Sequence, residues 1–164
     1  MRRARPIIAS LLFLAASAAP AVELEDILQA LLDQALTVSI TARVTENGRE
    51  TVQSYDLTRV TISGRAVRLR LEGGNVTIIA EFTPYESDDG ILLVAEGQIL
   101  LRTPEDEEVQ YVTSMRSIPL AAGERVIFYP LGRSTFDMSV ENDQSGPLNI
   151  ELEVEIAPYR AEQG

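Results

Sequence analysis

Hydrophobic positions change their period once along this chain. Leu24, Ile27, Leu28, Leu31 and Leu32 recur at helical spacing, with Glu23, Glu25, Asp26 and Asp33 off that stripe. The pattern predicts a short amphipathic helix within residues 22–35, whose early acids suit the positive end of a helix dipole. A stripe of this kind is expected to pack on the protein's own sheet; the sharper alternative is a docking helix headed by Leu24.

From Leu36 the period falls to two. Leu36, Val38, Ile40, Ala42 and Val44 alternate with Thr37, Ser39, Thr41, Arg43 and Thr45, the signature of a half-buried strand rich in β-branched residues. Asn47-Gly48 signals a hairpin, and a returning strand is expected over residues 49–62. Its apolar phase slips between Leu57 and Val60, which predicts a bulge near Thr58 and Arg59. Turns at Ser63-Gly64 and Gly73-Gly74-Asn75 bracket a strand with Val67, Leu69 and Leu71 inward. Val76, Ile78, Ala80 and Phe82 form the next inward set. After a polar loop from Pro84 to Gly90, the segment Ile91–Leu101 is apolar on both faces and is expected in the middle of a sheet. Further strands are expected at residues 109–118 and 125–129, and a short one through Phe136, Met138 and Val140. The last strand has Leu148, Ile150, Leu152, Val154 and Ile156 alternating with Asn149, Glu151, Glu153 and Glu155.

Eight or nine strands separated by turn residues, with no βαβ alternation, predict a mostly β fold. The expected form is an antiparallel β-sandwich, Ig-like or jelly-roll-like, with one short N-terminal helix; the alternative is a small β-barrel. One domain over residues 36–158 and a polar tail at 159–164 complete the expected organisation.

The segment ahead of the helix changes the picture. Arg2, Arg3 and Arg5 precede the apolar run Ile7–Ala16, and small residues follow through Ala21. This reads as a cleavable signal peptide over residues 1–21, with cleavage expected after Ala18 or Ala21. A run of this length falls short of a bilayer span, so no stable transmembrane segment is expected after processing. With no cysteine to carry a lipid, the expected destination is the periplasm or the medium by a Sec-type route, and not as a lipoprotein.

Charge adds one exclusion. The formal charge is −11, and loss of the three leader arginines lowers it to −14. An acidic protein of this kind repels nucleic acid.

The residues available for chemistry are few. Histidine, cysteine, lysine and tryptophan are absent. Nucleophile–base triads and dyads, Schiff bases and the usual zinc, copper and haem ligands therefore cannot be assembled. Carboxylates remain. A pair of them could hydrolyse a glycoside, but the aromatic platforms such a cleft uses are scarce. Calcium is the better use for loop acids. Asp88 and Asp89 in Glu86–Gly90, and Asp143 in Glu141–Gly146, are the candidates, although Asp- and Gly-rich segments also suit ordinary turns. No other cofactor is expected.

Two further surfaces stand out. The stripe Glu151, Glu153 and Glu155 is expected either to pair with arginines of the same period, Arg43, Arg68 and Arg70, or to receive a basic partner. On a terminal strand it would also discourage edge-to-edge aggregation. The segment Ser117–Gly132 predicts a hairpin with Phe128 and Tyr129 on opposite faces, one in the core and one at its rim. These two residues, with Leu24 and the glutamates, are the candidate contact residues. The functional expectation is an exported, non-enzymatic protein acting through contacts with a protein partner in the cell envelope. The alternative is a module binding carbohydrate or calcium.

Overall fold

The computed structural model describes residues 24–46, 50–102, 109–133, 135–139 and 145–160. Helix α1 (Leu24–Asp33) is followed by nine strands: β1 (Ala35–Glu46), β2 (Glu50–Ile62), β3 (Val67–Glu72), β4 (Val76–Ser87), β5 (Gly90–Arg102), β6 (Val109–Leu120), β7 (Arg125–Phe128), β8 (Phe136–Ser139) and β9 (Ser145–Pro158). The expected turn at Asn47-Gly48, Val140 and residues 1–23, which hold the expected signal peptide, lie outside the described residues.

The strands form two antiparallel sheets, ordered β2-β1-β9-β7 and β3-β4-β5-β6, with β8 also on β9. β7 and β8 share one edge of β9: Phe128 faces Leu152, and Phe136 faces Leu148, whose other side is occupied by Glu46 of β1. Each sheet is therefore four strands wide. The sandwich is the expected one, but its connectivity is not the Greek key of an Ig-like or jelly-roll domain. Strands adjacent in a sheet are sequence neighbours, except that β7 lies beside β9 in line with β8, and β9 closes against β1. The result is a meander opened at two corners, between β2 and β3 and between β6 and β7.

Alternation decides which side chains enter the core. The even residues of β1 from Leu36 to Val44 and of β9 from Leu148 to Ile156 are buried, as are Val76, Ile78, Ala80 and Phe82 of β4 and Ile91, Leu93, Ala95 and Ile99 of β5. Phe82 and Phe128 meet edge-to-face at the centre, ring centroids 5.9 Å apart. β5 is interior, as its apolar character requires. Its outward residues are less covered than expected, since Leu92 remains exposed.

Three expectations are corrected. The register of β1 with β2 runs unbroken through Thr58 and Arg59 and shifts instead at Val44/Thr45, leaving Val52 as the bulged residue. The apolar phase slip arises because Val60 simply points outward and is exposed. β9 is not a terminal strand in space, because β1 and β7 flank it, so its glutamates protect no edge. The helix α1 has no fully buried residue, and of the stripe expected to pack on the sheet only Leu32 is half-buried.

Candidate functional site

The candidate contact surfaces are built from different elements, and the sandwich treats them differently. On α1, Leu24 is 81% exposed, and Ile27, Leu28 and Leu31 are each about half exposed. The helix is locally consistent: Glu25 and Asp26 lie in its first turn, and Gln29 Nε2 donates to Asp33 Oδ1 at 2.9 Å one turn on. Its apolar stripe stands directly ahead of β1, and of its five residues only Leu32 is half-buried.

The glutamate stripe is already occupied. Arg43 Nη1 lies 3.3 Å from Glu151 and 3.0 Å from Glu153, and Arg125 lies 3.6 Å from Glu153 and 2.8 Å from Glu155. Hydrogen bonds that Arg43 donates to Glu153 and then Glu151 raise its pKa, and the bond Arg125 donates to Glu155 does the same for Arg125. Arg68 and Arg70 sit on the other sheet and pair with Glu81 and Glu72 instead. Arg125 is the partner that sequence reasoning missed. Its outward parity on a short strand was visible, but the pairing of β7 with β9 was not.

Phe128 is corrected from a contact residue to a core residue: at 1% exposure it offers no surface. Tyr129 is half-buried, with the Arg133 guanidinium 5.8 Å from its ring centroid. It begins a segment whose role sequence reasoning also missed. Between Phe128 and Phe136 the chain uses seven residues, 129–135, while β9 advances only three, 149–151. Pro130 and Leu131 of this segment fold into the β6–β7 corner. Gly132 adopts φ +69° and its N–H donates to the Tyr129 carbonyl at 3.0 Å, turning Pro130 and Leu131 inward, where both are buried. Ser114 Oγ on β6 donates to the Pro130 carbonyl at 2.9 Å. Opposite, a Cβ at Gly97 would lie 2.9 Å from Pro130 Cβ and 2.7 Å from Ser114 Oγ, so only glycine admits this close approach. The segment plugs its corner.

Among the described residues, the β2–β3 corner has no such plug. A cleft of about 270 Å³ opens there, floored by Val44, Val76, Ile78 and Ile150, with Gln53, Tyr55, Arg70 and Glu72 among its lining residues. Leu57, Leu69 and Leu71 are half-buried at the core margin on the same strands. Arg70 Nε donates to Glu72 at 2.8 Å, so the charges at this mouth are paired.

Asp88 and Asp89 are exposed and form the two-residue connection between Ser87 of β4 and Gly90 of β5. Asp143 lies outside the described residues. Among the described residues, no group of three or more carboxylates converges on a common point, and no buried side-chain nitrogen or oxygen lacks a hydrogen-bond partner. No helix among them is long and apolar enough to cross a membrane. Compared with protein-family models, curated proteins and solved structures, the chain matches none of them.

Proposed function

We propose that the protein is an exported, non-enzymatic accessory component of a cell-envelope assembly that engages a protein partner through α1. The observation that carries this reading is the exposed stripe Leu24, Ile27, Leu28 and Leu31 on a helix with no fully buried residue, of whose apolar side chains only Leu32 is half-buried. Burying such side chains is worth about 1.5–3 kcal/mol each before the costs of association, a gain that the sandwich itself leaves unused. An amphipathic helix of this kind suits an apolar groove, read through its i, i+3, i+4 and i+7 positions. Glu25, Asp26 and Asp33, with no basic residue on the helix, favour a groove with a basic rim.

The non-enzymatic part rests on composition. Without histidine, cysteine or lysine, general-base and nucleophilic catalysis at neutral pH have few possible agents. Export rests on the leader's basic, apolar and small-residue order.

A photoreactive amino acid placed at Leu28 in producing cells tests the reading. The expected result is a discrete cross-linked adduct in the envelope fraction, lost when Leu24 and Leu31 are replaced by serine. Absence of any adduct at Leu28, or an adduct indifferent to those serines, overturns it.

A further inference from the structure

We propose that the protein forms a two-fold dimer by antiparallel pairing of β2 with β2 of a second copy, with Leu57 on the axis. A sheet edge presents a row of backbone donors and acceptors ready to pair with another strand, and folds usually guard such edges. Three of the four edges here are guarded. β3 is six residues long and carries Arg68 and Arg70. β6 is tied across its corner by Ser114 and holds Pro119. The β7–β8 edge is interrupted by residues 129–135. The fourth, β2, runs for 13 residues without proline, and among the described residues it pairs with β1 alone.

The side chains of β2 select a second copy as the occupant. A two-fold axis normal to the sheet reverses the strand and keeps each face on its own side, so every residue meets one of its own parity. Within the regular stretch Gln53–Thr61, the choice of axis is narrow. An axis at Asp56 sets two carboxylates opposite each other, and one at Arg59 sets two guanidinium groups opposite each other, both destabilising. An axis at Thr58 places Leu57 against Arg59 of the second copy, and one at Tyr55 places it against Gln53 of the second copy. An axis at Leu57 sets leucine on leucine and, twice over, Tyr55 against Arg59 of the second copy, a cation–π pairing. It also sets Asp56 against Thr58 of the second copy.

The corner supplies the apolar reason. Leu57, Leu69 and Leu71 are only partly covered at the β2–β3 opening, and this axis brings the openings of two copies face to face. The dimer does not depend on the role proposed for α1, since it uses the opposite kind of surface: backbone edge rather than helix stripe.

Sedimentation of the purified protein, together with single-cysteine variants, tests the proposal. The chain has no cysteine of its own, so each variant carries one thiol. At roughly 100 µM the expected species has twice the monomer mass, and Arg59→Glu raises the dissociation constant about tenfold through two lost cation–π contacts. Leu57→Cys is expected to oxidise to a disulfide-linked dimer, because directly opposed Cβ atoms lie within about 4.5–5.5 Å, close to disulfide reach. Val60→Cys is not, because its copies would stand about 20 Å apart along the strands. A monomer at that concentration overturns the proposal. So does cross-linking at position 60 as ready as at position 57. If Leu57→Cys fails to fold, the mass of the unmodified protein and the Arg59→Glu shift still decide.

Discussion

The two corners of the sandwich solve one problem in different ways. A meander flattened into two sheets leaves apolar interior facing solvent wherever the chain crosses between them. At the β6–β7 corner the protein inserts Pro130 and Leu131, held by Ser114 and admitted by Gly97. At the β2–β3 corner the chain crosses through Ser63–Ala66, where Gly64 N–H donates to the Pro84 carbonyl at 2.7 Å, and no described residue fills the opening. One corner is completed from within the chain, and the other stays open among the described residues. Equivalent gaps in one fold are thus treated differently: one is packed with Pro130 and Leu131, and the other is the opening that the proposed dimer would cover.

The comparison can be broken most directly at the plug. Leu131→Ala is expected to destabilise the protein by about 3 kcal/mol, through lost burial and a cavity, measured by urea unfolding. Gly97→Ala is expected to cost about 2 kcal/mol by pushing Pro130 off β5. A negligible loss in both variants would mean that the corner closes without its plug. At the open corner, Leu69→Ala is expected to cost about 1 kcal/mol, because its side chain is already partly hydrated. Backbone hydrogen exchange sharpens the contrast without mutation: in dilute protein, amides of β2 are expected to exchange faster than those of β9, which is paired on both sides. The smallest effect belongs to the helix. Leu28→Ser is expected to change stability by less than about 0.5 kcal/mol, since it leaves a surface that was never buried. A larger loss would show that α1 packs on the sandwich after all.

Much of the fold was legible in the sequence. The alternation in β1, β4 and β9 named their inward residues one by one, and the turns at Gly64 and Gly73 fall where glycine placed them. The site was less legible. The stripe of α1 could be read, but its exposure could not, because an apolar helix face looks the same whether its cover is its own domain or another. Arg125 carried the right parity to meet Glu155, yet nothing local distinguished it from Arg68, which has the same parity and a different sheet. Leu131 lies just past the end of a predicted strand, with no periodicity to place it, and which of Phe128 and Tyr129 enters the core stayed open until the neighbour of Phe128 across the core was known.

Period, turn chemistry and the switch from helix to strand are local properties. Side chains alternate along a strand whatever lies beside it, so the sequence alone determined that this is a β protein and which face of each strand is apolar. Lateral neighbours were decided only by the tertiary structure, because strand pairing runs through backbone groups that every residue shares. That pairing placed β9 between β1 and β7, joined its glutamates to two arginines, filled one corner with Leu131 and left β2 as an edge.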